Sequence, residues 1–282
     1  MKKRWKIFWI VCAVLAAAGL LLTAAGAALG GLSALRNAGK PERLTGKDFD
    51  TMDPDEYSGP QDGELIMFDY IEDIDLNLGG LQVYVIPGNV DGVGIDTSYL
   101  RSDIREKVES SIEYEEEDYE LKVDIGKRLR GWSTEDTGTL YIVYSPWTQF
   151  GSFSAEMSAG LLELHGLWAD EVSLSVGAGQ ITAQFLETEH LDTECGAGSI
   201  ELLGTVLAGD AEIDCKLGSI VLIMANQPAQ SDYDYELSCG AGEVTVGNKT
   251  YSGLFREAEI DNGSSRLIKA DCGLGSIVIQ FE

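Results

Sequence analysis

From residue 190 onward the chain reads as short runs in which apolar and polar positions alternate. Leu191, Thr193 and Cys195 share one parity while Asp192 and Glu194 take the other. The same holds for Ala211, Ile213 and Cys215 against Glu212 and Asp214, and for Tyr235, Leu237 and Cys239 against Glu236 and Ser238. A period of two with one apolar side predicts half-buried β-strands. Each run ends in a glycine-rich phrase: CGAGSI at 195–200, with variants at 176–181 (VGAGQI), 215–220 (CKLGSI), 239–244 (CGAGEV) and 272–277 (CGLGSI), and a fainter copy at 157–162. Beyond the phrase the apolar parity flips, since Cys195 and Ala197 are odd while Ile200 and Leu202 are even. A one-residue slip turns every side chain to the other face of a strand. Both flanks can therefore share one core only if the chain bends within the phrase. Glycine suits such a corner because it accepts backbone angles closed to other residues.

The corner glycines Gly160, Gly179, Gly198, Gly218, Gly242 and Gly275 are separated by 19, 19, 20, 24 and 33 residues. Spacings near 20 predict one solenoid coil per repeat, with insertions in the later coils. The same parity flip exposes degenerate coils upstream. Ile74, Leu76 and Leu78 give way to Leu81, Val83 and Val85 across Gly79 and Gly80, and Gly138 precedes Leu140, Ile142 and Tyr144. Between them, residues 102–120 predict a short helix and then a strand carrying Tyr119, Leu121, Val123 and Ile125. The fold expected is all-β: a single stack of parallel β-helix-like coils of about 20 residues, beginning near residue 64 and running to 282, some seven or eight coils and roughly 35 Å long. Its last strand, with Ile277, Ile279 and Phe281, would form an open edge, guarded by charge or used for docking. An antiparallel β-sandwich is the rival fold, but it has no reason to repeat one corner phrase at one strand position.

The N-terminus differs. Lys2, Lys3, Arg4 and Lys6 precede residues 7–32, which hold no charge. As a helix these 26 residues would span roughly 39 Å, enough to cross about 30 Å of hydrocarbon with tilt. Trp5 and Trp9 suit the interfacial belt, and Cys12 would be a membrane-embedded thiol. The division expected is a cytoplasmic tail (1–6), a transmembrane signal anchor (7–32), a polar juxtamembrane linker or cap (33–63) and an extracytoplasmic repeat domain (64–282). A cleaved signal peptide stays open beside the anchor, because Ala25, Gly26 and Ala27 form an A-x-A site.

Charge narrows the partners. The chain has 20 Lys plus Arg and 47 Asp plus Glu; without the four basic residues of the tail, 16 against 47 leaves −31. Such a domain repels nucleic acid and anionic polymers. A protein or cell-wall partner is expected, with the membrane engaged through the N-terminal helix.

Candidate chemistry is sparse. Cys195, Cys215, Cys239 and Cys272 hold one repeat position whose equivalents are Val176 and Met157. This reads as a core ladder of thiols acting as small hydrophobes, with disulfides between neighbouring coils as the alternative. No C-x-x-C pair offers a metal site. Asp192, Glu212 and Glu236 fall at one outward position, and Glu194, Asp214 and Asp271 at another. Solvated columns of like charge are the first reading, and calcium between them the second. The G-G-x-G-x-D calcium turn is absent, and neither 48–55 nor 115–118 forms a helix-loop-helix calcium loop. The only histidines, His165 and His190, lack a nucleophile elbow or an H-E-x-x-H partner. The expectation is no enzyme, no catalytic or cofactor-binding residue and no cofactor.

The anchored N-terminus, the C-G-A-G-x-I coils and the closing segment IDNGSSRLIKADCGLGSIVIQFE resemble the bacterial putative-adhesin family of β-strand-repeat proteins, a domain of unknown function in membrane-anchored envelope proteins. The resemblance covers about residues 64–282 and implies an extracytoplasmic β-solenoid without catalytic residues. It points to an adhesin-like binding or scaffold module of the cell envelope. The alternatives are a regulatory subunit of an envelope-stress system and a carbohydrate-active β-helix enzyme.

Overall fold

Alternation becomes strand almost everywhere in the computed structural model, which describes residues 59–60, 65–125, 137–226 and 228–281. The expected tail, anchor and most of the linker lie outside these residues. Among the described residues no helix is long and apolar enough to cross a membrane.

In chain order the elements are β1 (Ile66–Phe68), β2 (Asp73–Asn77), β3 (Gln82–Pro87), β4 (Val93–Asp96), helix α1 (Ser102–Glu109), β5 (Ile112–Glu115), β6 (Glu120–Asp124) and β7 (Thr139–Tyr144). Next come β8 (Phe150–Met157), β9 (Leu161–His165), β10 (Ala169–Val176), β11 (Gln180–Gln184), β12 (Glu187–Thr188), β13 (His190–Cys195), β14 (Ser199–Leu207), β15 (Ala211–Cys215) and β16 (Ser219–Met224). The last are β17 (Asp234–Cys239), β18 (Glu243–Val246), β19 (Lys249–Ser252), β20 (Arg256–Ile260), β21 (Leu267–Cys272) and β22 (Ser276–Phe281).

The coils stack as expected, but the stack comprises two sheets, one of 12 strands and one of 10, where a single-sheet stack was expected. Each repeat lays its first strand in the ten-stranded sheet, turns at the glycine phrase and lays its second in the twelve-stranded sheet, giving a β-helix-like fold. The parity flip is what this needs: Cys195 and Ile200 are both fully buried although their indices differ in parity, because the corner between them turns the strand over. Both inner faces meet in one hydrophobic core running the length of the domain.

Coil order departs from chain order at both ends. The middle tiers β8/β9, β10/β11, β13/β14 and β15/β16 stack sequentially in parallel register. After β16 the chain skips a tier, builds β17/β18, reverses through β19 and β20, and returns so that β21/β22 fills the skipped place. Strand β22 is thus an interior strand with β16 on one side and β18 on the other, not the open edge expected. At the other end β2/β3 lies between β6/β7 and β8/β9. Eight tiers result, roughly 34 Å at the usual strand spacing.

Both ends of the ladder are closed by antiparallel strands. At one end β5 covers β6 and β4 covers β7; at the other β20 covers β17 and β19 covers β18. Helix α1 links β4 to β5 across the first end, burying Ile104 and Val108, one turn apart, in the core. The helix expected within 102–120 is therefore present. Strand β5 follows it, which the sequence did not predict, and the expected strand, β6, begins only at Glu120, because Tyr119 sits in a turn with φ 52° and its side chain is exposed. Reversing the direction of the outermost strands in this way ends the parallel ladder and limits the exposed edge.

Candidate contact surfaces

The repeated glycines act through close approach more than through unusual angles. Of the six corner glycines only Gly160 has positive φ. A Cβ on Gly179, Gly198, Gly218, Gly275 or Gly242 would lie 2.5, 2.2, 2.1, 2.2 and 2.3 Å from the carbonyl oxygen of the glycine one tier away. No side chain fits there. The companion row is looser: at Gly177, Gly196, Gly273 and Gly240 the distance is 2.6 to 2.8 Å, and Ser158 and Lys216 occupy the same row. These glycines lie between the two strands of their coils, and tier-to-tier contact supplies the physical reason for them.

Beside this column runs the thiol ladder, in the spatial order Cys195, Cys215, Cys272, Cys239. All four are free and buried. A Cβ on Gly218 would meet Cys195 Sγ at 2.5 Å, one on Gly275 would meet Cys215 Sγ at 2.7 Å, and one on Gly242 would meet Cys272 Sγ at 2.6 Å. Each sulfur thus fills the space that the next tier's glycine leaves open, which ties the cysteine and the glycine of the phrase to each other. Hydrogen bonding to Cys195 and Cys272, together with burial, keeps the Cys215 thiol protonated, well above the ordinary thiol range. Burial likewise pushes Cys239 up, and its sulfur lies 3.3 Å from the Tyr251 carbonyl.

The outward side of the ten-stranded sheet carries the acids. One column runs Ser154, Ser173, Asp192, Glu212, Lys269, Glu236 and the next runs Glu156, Ser175, Glu194, Asp214, Asp271, Ser238. Glu194, Asp214 and Asp271 are therefore neighbours on adjacent strands. Glu236 is not next to Glu212: the out-of-order tier places Lys269 between them, with its Nζ 2.5 Å from Glu212 Oε1. Lys216 pairs with Glu194 at the sheet margin. Partial burial, then Glu212, Glu194 and Asp214 in turn, raise the Asp192 carboxyl above its ordinary value; partial burial and Asp271 do the same for Asp214. A shallow groove of about 550 Å³ crosses this face over Ser173, His190, Asp192, Asp210 and Glu212.

Among the described residues no three acid, thiol or imidazole groups converge to hold a metal ion. The acids at 48–55 lie outside the described residues; of the 115–118 run, Glu115 pairs with Lys122. The histidines are divided between the sheets: His165 ends β9, 3.9 Å from Glu163, and His190 opens β13.

Sequence patterning missed the aromatic residues at the corners leading from the twelve-stranded to the ten-stranded sheet. Trp147 is 89% exposed between β7 and β8, and Trp168 and Phe185 are partly exposed after β9 and β11. All three fall between named strands where no period constrains them; only Trp147 carries a sequence signal, a large aromatic directly after proline.

This architecture defines a two-sheet, β-helix-like repeat domain with rows of carboxylates on the ten-stranded sheet. No family model and no curated protein matches the chain. Solved structures described as putative adhesins or cell adhesion proteins are similar to it. A putative cell adhesion protein from Clostridium sporogenes is similar at 12% identity, over 78% of this chain and 97% of its own, with a TM-score of 0.42. A putative adhesin from Parabacteroides distasonis is similar at 12% identity over 78% and 99%, TM-score 0.35, and one from Bacteroides fragilis at 13% over 74% and 92%, TM-score 0.30.

Proposed function

We propose that the protein is a non-catalytic binding module of the cell envelope, anchored by residues 7–32 with the repeat domain outside the membrane. Its contact surface is the outward side of the ten-stranded sheet, and its partner is a cationic protein. The observation that carries this reading is the ordered display of Asp192, Glu194, Glu212, Asp214 and Asp271 on adjacent hydrogen-bonded strands. Backbone pairing holds the carboxylates in fixed rows, and rows of like charge oppose folding. Partial burial, and after it the neighbouring carboxylates, raise the pKa of Asp192 and Asp214, in keeping with this opposition. A cation-rich partner would relieve it on contact, giving complementarity and fast association. Separation of the two histidines onto different sheets supports a non-catalytic role.

The test is co-purification of the full chain from membranes at low salt, compared with a chain carrying Asp192→Lys, Asp214→Lys and Asp271→Lys. One stoichiometric basic protein, retained by the native chain and lost from the variant, is the expected outcome. Retention by both chains, or persistence at about 1 M salt, where screening is nearly complete, would refute the acidic surface as the contact.

A further inference from the structure

A second surface lies at the β7–β8 corner and owes nothing to the acidic rows. Residues 87–91, at the end of β3 and after it, and residues 145–147, after β7, line a cleft of about 400 Å³. Its frame is rigid. Gly88 N–H donates to the Tyr144 carbonyl at 2.8 Å, Ser145 N–H to the Gly92 carbonyl at 3.1 Å, and Thr148 N–H to the Ser145 carbonyl at 2.9 Å. The last bond closes a four-residue turn with Pro146 at its second position, where the ring presets φ. Gly92 has φ +89°, and a Cβ there would lie 2.1 Å from the Phe68 carbonyl oxygen, so backbone alone fits.

Trp147 occupies the third position of that turn. Its indole, 89% exposed, is held off the protein by a turn that is itself fixed. Folding gains nothing from an apolar surface left in water, whereas tryptophan supplies a large contact area with only two side-chain torsions to immobilise on binding. Around it stand Asn89, Asp91 and Ser145, none of whose side chains has a hydrogen-bond partner among the described residues. An amide offers two donors and an acceptor, a carboxylate offers acceptors, and a hydroxyl offers both.

We propose that this cleft binds a neutral pyranose unit of a surface polysaccharide. The flat indole matches the C–H face of the ring, and the amide, carboxylate and hydroxyl match its hydroxyl groups, each of which both donates and accepts. The volume is that of a small-molecule site. Asp91 and the net negative charge of the domain select against anionic sugars. Trp168 and Phe185, at the same kind of corner in the following tiers, give further aromatic surface for a chain of such units.

The experiment uses the full chain in a detergent without a sugar headgroup, titrated by calorimetry with neutral hexose oligosaccharides, uronic-acid oligosaccharides and choline. Neutral oligosaccharides should bind, and Trp147→Ala should weaken them roughly tenfold or more. Asn89→Ala should weaken them a few-fold with an unchanged melting temperature, since neither side chain supports the fold. The proposal is overturned if no neutral oligosaccharide binds, if Trp147→Ala binds equally well, or if only choline or the uronic-acid series binds. None of these outcomes depends on the acidic sheet or its partner.

Discussion

The middle of the domain and its two ends are built from the same coil but assembled differently. From β8 to β16 each coil lies on the one before it, so neighbours in space are neighbours in sequence. At the ends a coil is laid one place too far and a later or earlier coil occupies the gap. The difference teaches that a repeat phrase fixes the shape of a coil and its register, but not its place in the stack. The four coils β13/β14, β15/β16, β17/β18 and β21/β22 offer the same thiol, the same glycine and the same apolar rows, so β21/β22 fits between β15/β16 and β17/β18 as well as it would fit at the end.

The sharpest way to break this comparison is to remove the late-arriving tier. Ending the chain after Arg266 should empty a slot flanked by two tiers and expose both their edges; cooperative thermal unfolding should be lost and proteolysis should cut within 225–266. If β22 were the terminal edge, the same truncation would leave a shorter stable stack. Next in size, Gly218→Ala should destabilise by about 3 kcal/mol through overpacking, because its methyl has 2.1 Å to the Gly198 carbonyl oxygen. Gly240→Ser, in the looser row where 2.8 Å is available, should lose only about 1 kcal/mol. Chemical denaturation distinguishes the two rows.

A smaller effect sharpens the core. Thr193 is fully buried with its hydroxyl unpartnered, between Leu174 and Ile213 of adjacent tiers. Thr193→Val keeps the shape and should add about 1 kcal/mol of stability by removing an unsatisfied group. The smallest effect concerns pH. Asp192 and Asp214 have folded pKa values above the unfolded value of 3.8, so between the two values the folded state binds more protons than the unfolded state, and stability falls as pH rises through that window. The penalty is fully present at neutral pH. Acidifying toward the carboxylate range should relieve it and raise the melting temperature slightly, and Asp192→Asn with Asp214→Asn should raise it at pH 7 and flatten this part of the profile. Both groups are mostly exposed, so solvent screening holds the gain to a fraction of a kcal/mol.

Much of this was legible in the chain. Parity alternation located Leu191, Thr193 and Cys195 on the inner side, and the flip at Gly198 located the corner. The thiol column was legible because Val176 and Met157 share its position. The neighbours of Glu212 were not, since nothing local in LIKADC says that Lys269 belongs beside it. The cleft at Trp147 was not legible either, because two loops separated by more than fifty residues meet only when β3 and β7 pair.

By itself, then, the sequence determined the coil: strand, corner, strand, and which side of each faces the core, because side-chain period and glycine content are local and leave no other arrangement. Only the tertiary structure decided which coil touches which, that the last strand is interior, and that the glycines are needed for contact between tiers more than for their backbone angles. Those facts depend on distances between segments far apart in the chain, and interchangeable repeats carry no address for their neighbours.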